Sequence, residues 1–175
     1  MNIALHICCG ICAAGVVERL TSEGHRVHGY FYNPNIHPEE EYLKRLEAAR
    51  QVAEKLDFPL EVGPYVPDDW FMETEGFEKE PEGGLRCEIC FRHRLTRTWR
   101  YMDYYKYDAF TTTLTVSPQK KAAVVNRVGQ EIGGDRFLER DFKKKAGFQR
   151  SMELAGQWGL YHQDYCGCIY SVRGK

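Results

Sequence analysis

The apolar residues of this chain recur with two alternating periods. Ile3, Ala4 and Leu5 form a short continuous run that predicts a first strand; Val16, Val17 and Leu20 then face inward over a helix at 13–23, which Gly24 ends. A β-branched and aromatic run over 27–32 predicts a second strand, stopped by Asn33-Pro34-Asn35. Over 39–56, Tyr42, Leu46, Ala49, Ala53 and Leu56 lie four, three, four and three residues apart, one face of a helix. Phe58 to Val62 predicts a third strand, closed by Gly63-Pro64. This β-α-β-α-β order is that of a parallel sheet covered by helices on its faces. The expected fold class is therefore α/β, three layers, in a single domain spanning 1–175.

Between Tyr65 and Gly84 the rhythm stops: Asp68-Asp69-Trp70-Phe71 reads as one helical turn, and the glutamate-rich stretch after it, ending in Pro81-Glu82-Gly83-Gly84, reads as a mobile loop or lid or equally as a plain acidic surface loop. Residues 87–106 predict a long helix with Phe91, Leu95, Trp99 and Met102 on one stripe and Arg92, His93, Arg94, Arg97 and Arg100 on its polar side. A fourth strand is expected over 109–115. Ser117-Pro118 then reads as the cap and first position of a helix running through Val125, Val128 and Ile132 to Gly133-Gly134. Lys120 and Lys121 would sit in its first turn, against the helix dipole, which points to an anionic visitor. Phe148, Met152 and Ala155 mark a last helix.

The chemistry is concentrated in seven cysteines, grouped as Cys8-Cys9 with Cys12, Cys87 with Cys90, and Cys166 with Cys168. The first group follows the first strand directly, at the carboxyl edge of the sheet, where open α/β sheets bind ligands. Cys87 and Cys90, at i and i+3 of a helix start, share one side and face a positive dipole that favours thiolate. All three groups are expected to converge on one metal and redox site. A structural zinc site saturates at four ligands, so seven thiols exceed it; a 4Fe–4S cluster held by four thiolates leaves enough for a redox pair and one further ligand. Cys166-Gly167-Cys168 reads as that redox pair, because two cysteines one residue apart close only a small, strained ring. Ligation of metal by one or both is the other reading.

Length and composition set the class without choosing the chemistry. The 175 residues are 43% hydrophobic and 28% charged, enough for a packed core, and no run approaches the roughly 20 apolar residues of a membrane span. The start lacks a basic segment followed by a long apolar one, so a cytoplasmic location is expected, and an odd number of cysteines there argues against a disulfide framework. Net charge is −1, but residues 1–82 carry 7 Lys+Arg against 16 Asp+Glu, and the remainder 17 against 9. A basic carboxyl-terminal half fits a polyanionic partner.

The combination His6-x-Cys8-Cys9-x-x-Cys12, Arg86-Cys87-Glu88-Ile89-Cys90, Thr112-Thr113-Leu114-Thr115-x-Ser117-Pro118 and Asp164-Tyr165-Cys166-Gly167-Cys168 resembles the QueH-type epoxyqueuosine reductases over nearly the whole chain. One departure is Gly10-Ile11, where many relatives have Ala-Pro. The resemblance implies a nucleotide-binding α/β fold of the HUP, Rossmann-like type. It also implies reductive removal of the epoxide oxygen of epoxyqueuosine at the wobble position of a tRNA. Cys8, Cys9, Cys87 and Cys90 would ligate a 4Fe–4S cluster, Cys166 and Cys168 would form the redox pair, and Cys12, with an oxygen ligand such as Asp164, would hold an additional iron ion. An external electron donor is required, and His6 or Tyr165 are candidate proton donors. The basic helix with Lys120, Lys121 and the Lys143 run would hold anticodon phosphates. Two other readings are an ATP-pyrophosphatase-like tRNA-modifying enzyme, which needs a Ser/Gly-rich phosphate loop where this chain has cysteines, and a zinc-binding RNA module.

Overall fold

A computed structural model describes residues 1–172. Strands β1 (Asn2–His6), β2 (Arg26–Phe31), β3 (Leu60–Val62) and β4 (Ala109–Thr112) form one parallel sheet in the order β3-β2-β1-β4. On one face pack α1 (Gly10–Ser22), α2 (Glu39–Leu56) and α6 (Gly147–Trp158); on the other pack α4 (Leu85–Tyr105) and α5 (Ala122–Gly133). The pleat of β1 explains this division. Ile3, Leu5 and Ile7 enter the α1/α2/α6 layer, while Ala4 faces α4, which lies directly over β1.

The strand order places β1 between β2 and β4, so the chain winds outward to β3 and then returns to the other side of β1. The loops leaving β1 and β4 therefore diverge at the carboxyl edge of the sheet. Such a switch point is where α/β sheets open a crevice, and Cys8 and Thr113 flank it with a hydrogen bond from Cys8 N to Thr113 Oγ1 of 3.2 Å. The α/β expectation holds, in three layers.

Four local expectations are corrected. The helical turn expected at Asp68–Phe71 is part of α3 (Pro67–Glu73), whose Trp70 is fully buried, and the stretch after it, expected to be mobile, is tied down by Arg86, which donates from Nη1 to the carbonyls of Phe77, Glu78 and Glu80. The fourth strand stops at Thr112 instead of Thr115. There the Thr112 hydroxyl accepts from Leu114 N at 3.1 Å and turns the chain into a 3₁₀ segment over Thr113–Val116. Ser117-Pro118 does not start a helix: Lys120 N donates to Ser117 O, closing a turn with Pro118 at its second position. Helix α5 begins only at Ala122, so Lys120 precedes it and Lys121 is its N-cap residue. Finally, Arg94 is not on the polar side of its helix; it is 2% exposed.

Candidate metal and redox centre

The loop after β1 delivers three sulfurs to one point. Cys9 is the N-cap residue of α1, its Sγ accepting from Cys12 N at 3.5 Å, so Cys12 sits in the first helical turn beside Cys8 and Cys9. The three Sγ atoms lie within 4.8 Å of one another, the one such group of potential metal ligands among the described residues, and could hold a metal. Gly10 serves this arrangement by close approach, not by unusual backbone. A Cβ there would lie 2.7 Å from the carbonyl carbon and oxygen of Ala48, so its absence lets α2 press against the start of α1.

The electrostatics of the trio is uneven. Cys8 lies well below the ordinary thiol range because Cys12 and Cys9 direct hydrogen bonds at it, with help from Lys120 and the Thr113 hydroxyl 3.3 Å away, and against the effect of burial. Cys12 is correspondingly pushed up by the hydrogen bonds it gives to Cys8 and Cys9, and by burial. Cys9, although Cys12 donates to it, is pushed up to about 12 by Cys8 and burial. Gln163 Nε2 adds a donor 2.9 Å from Cys9 Sγ.

The other four thiols line an adjoining cavity of about 180 Å³ together with Trp70, Arg94 and Lys120. Cys90 is buried, and burial pushes its thiol up; the same holds for half-buried Cys87, whose Sγ accepts from Gly83 N at 3.2 Å. Cys168 packs against Trp70 and Cys90. Cys166 belongs to both halves of the site: it lines this cavity and also the one of about 310 Å³ around Cys8, Cys9, Cys12 and Asp164. Asp164 thus shares a cavity with Cys12, as expected, but is exposed and outside the compact sulfur trio. All seven cysteines are free thiols.

The Cys166-Gly167-Cys168 segment is fixed from outside. Arg45, buried on α2 and ion-paired with Glu41 at 2.8 Å, donates to the carbonyls of Cys166 at 2.6 Å and Tyr165 at 2.9 Å. His37 N donates to Gly167 O at 2.8 Å, and His37 Nδ1 accepts from Ile169 N. Gly167 has φ +146, a conformation side-chain-bearing residues rarely adopt, and a Cβ would lie 3.1 Å from Arg45 Nη1.

Charge balance tests whether this site suits a thiolate-bound metal. Arg94 is buried with no carboxylate partner among the described residues; it reaches Asn33 Oδ1 at 3.4 Å, and its Nε and Nη2 meet no acceptor. Burial works against its charge, yet Cys90, Cys166 and Cys8 keep it fully cationic. Lys120 is held protonated in the same way, by Cys166 and Cys8 against burial. Lys143 steadies that loop by donating to Lys120 O at 3.1 Å and Thr115 O at 3.0 Å. Two cations face the seven thiols, and the carboxylates lining the same cavities, Asp164 and Glu82, are exposed; buried positive charge of this kind suits an anionic sulfur assembly.

The two candidate proton donors fare poorly. His6 is fully buried, Nδ1 within 2.9 Å of Thr112 Oγ1 and Nε2 3.2 Å from Tyr32 O, and burial with the nearby Arg94 holds it neutral, down at about 4. Tyr165 donates its hydroxyl to His37 O. Arg94, Arg45, His37 and Trp70 did not stand out by motif. A signal was present: Cys87, Cys90 and Arg94 are three and four residues apart, and Arg45 lies on the Tyr42–Ala49 face, so each arginine interrupts a buried stripe.

Comparison with known proteins agrees with this architecture. The family model described as "Epoxyqueuosine reductase QueH" matches residues 3–174. Curated relatives of that name include one from Streptococcus pyogenes, 36% identical over 98% of this chain and 71% of its own, and one from Haemophilus influenzae, 35% identical over 98% and 72%. Another, from Thermotoga maritima, is 32% identical over 98% and 90%. A solved structure described as a "predicted subunit of tRNA methyltransferase" from Methanocaldococcus jannaschii superposes with a TM-score of 0.57 at 10% identity, covering 91% of this chain and 89% of that one, a likeness of fold. With a full-length family match and relatives above 30% identity, the chain belongs to the epoxyqueuosine reductase QueH family.

Proposed function

We propose that this protein is an oxidoreductase that reductively removes the epoxide oxygen of epoxyqueuosine at the wobble position of a tRNA, completing queuosine. The overall balance is epoxide plus two electrons and two protons to alkene and water. The observation that carries the reading is the pairing of full-length family membership with seven free thiols and two cations, Arg94 and Lys120, lining the same cavities at the switch point of the sheet.

In this reading Cys8, Cys9, Cys87 and Cys90 hold a 4Fe–4S cluster, and Cys12, with Asp164, holds an additional iron ion. Cys166 and Cys168 are the redox pair. When bound, these groups supply low-potential single electrons and a Lewis acid for the epoxide oxygen. The chain's own side chains do the rest. Arg94 and Lys120 offset the negative charge of the thiolates. Gln163 hydrogen-bonds Cys9, Arg45 and His37 hold the Cys166–Cys168 turn, and Trp70 keeps water from Cys90 and Cys168. The partners are a tRNA, met by basic side chains of the carboxyl-terminal half, and an external electron donor. The reducing cytoplasm is the compartment that keeps the thiols free, and among the described residues no helix is long and apolar enough to cross a membrane.

Anaerobic purification tests this. Iron and acid-labile sulfide at about four each per chain or slightly more iron, an electron paramagnetic resonance signal on reduction, and conversion of epoxyqueuosine in tRNA seen by nucleoside mass spectrometry are expected. Zinc without sulfide, and no conversion, would overturn it in favour of a zinc-binding RNA module.

A further inference from the structure

The arginines of α4 have three different fates. Beyond Arg86, which is buried and holds the preceding turn, Arg92 pairs with Glu131 of α5, Arg94 is buried at the thiol site, and Arg97 and Arg100 pair with no carboxylate among the described residues. These last two line a pair of continuous surface grooves of about 520 and 390 Å³. The grooves exist because α4 is centred over β1 and β4, and a layer of tyrosines takes the place of a helix beside β2. Tyr30 stacks on Tyr101 at 4.4 Å, and Tyr32 lies 5.8 Å from the His93 ring with Arg97 over its face at 5.3 Å. At the far end Tyr104 and Tyr105 are 78% and 45% exposed. Glu73 and Glu61 line one groove each, and Arg97 and Arg100 line both.

We infer that this groove is a binding surface for unpaired RNA, with Arg97 and Arg100 on phosphates and the exposed tyrosines stacking on bases. Alternating guanidinium and aromatic faces are how proteins hold single strands without reading their sequence. The position fits a long substrate. His93 is one helical turn beyond Cys90, and Tyr104 lies eleven residues further along α4, about 17 Å at 1.5 Å per residue. The groove thus begins beside the thiol cavities and leads away from them. The inference rests on the tRNA reading above and deepens it by naming the surface.

The test uses iron-loaded protein and an RNA hairpin bearing an epoxyqueuosine anticodon loop, with Kd measured across a salt series. Changing Arg97→Gln and Arg100→Gln together should weaken binding and flatten the slope of log Kd against log salt by about 1.4, at about 0.7 per phosphate contact on a single strand. Tyr104→Ala should weaken binding by about 5- to 150-fold with the slope unchanged, because stacking releases no counterions. Arg150→Gln, on the opposite face and paired with Glu18, should leave both unchanged. Iron content and circular dichroism report folding, and Arg100→Gln alone is the milder variant. Wild-type slope and Kd in the double variant would overturn the groove while leaving the reductase reading intact if the wild type converts the hairpin. Loss of slope without conversion by the wild type would do the reverse. Salt-independent binding by the wild type overturns the groove outright.

Discussion

Replacing Trp70 with alanine asks whether the segment over the thiols is a wall or a lid. The indole is fully buried, with ring centroids 5.1 Å from His37 and 5.3 Å from Phe71, and it packs on Cys90 and Cys168, which are 7% and 6% exposed. Removing a buried tryptophan costs about 3–5 kcal/mol. At about 2–4 °C per kcal/mol for a chain of this length, the thermal midpoint should fall by about 6–20 °C. Where the loss falls on local opening of α3 instead, the same energy raises the open population by roughly two to four orders of magnitude. Thiol alkylation of the metal-free, reduced chain, read by peptide mass spectrometry, then accelerates at Cys90 and Cys168. Fully buried Cys9 at the other end of the site should keep its wild-type rate, and Trp70→Phe should recover most of the protection. An alanine variant that melts within about 2 °C of wild type and labels at the wild-type rate would refute the wall and restore the mobile lid.

Further outcomes follow from the same geometry. Gly10→Ala forces a Cβ into the backbone of Ala48, so urea unfolding should show a loss of about 1–3 kcal/mol, and retained iron should fall as α1 shifts. Arg94→Met should lower the midpoint potential of the bound centre in a redox titration, because a cation favours the more negative reduced form; Arg94→Lys should recover most of the shift. Cys12→Ala should lower iron while leaving sulfide unchanged, whereas Cys87→Ala should lower both; equal losses in the two variants would reject separate roles. Gly167→Ala, strained at its positive φ, should disturb the Cys166–Cys168 turn and cost activity more than stability.

The sheet and its helices were legible because each rests on a long periodic segment. Tyr42, Leu46, Ala49 and Ala53 of α2 and Phe91, Leu95 and Met102 of α4 bury as their spacing requires, while Leu56 and Trp99 of the same stripes are only partly buried. Errors arose where a hydroxyl competes with the backbone ladder. The β-branched run 109–115 reads as one strand, yet the Thr112 side chain caps a turn halfway through it. Ser117-Pro118 carries a helix-start signature and is used for a reverse turn instead. Trp70 was hidden by its acidic neighbours, since one aromatic residue carries no period.

The site was half legible for a related reason. Thiols announce metal chemistry by residue type, so their grouping could be read; their counter-charges could not, because an arginine on a helix reads as solvated wherever it falls. Arg94 follows Cys90 by four residues and Phe91 by three, and that register turns it inward between the two sulfur groups. Arg97 and Arg100 continue the same helix, yet line surface grooves beside Tyr30 and Tyr32 of the β2 segment. A single run of positive charge is thereby divided by 3.6-residue geometry into one buried cation for sulfur and two surface cations for phosphate. The separation is physically necessary, since a guanidinium can be desolvated at the thiol site only where anions replace its water. Those on the groove keep their water until a polyanion displaces it.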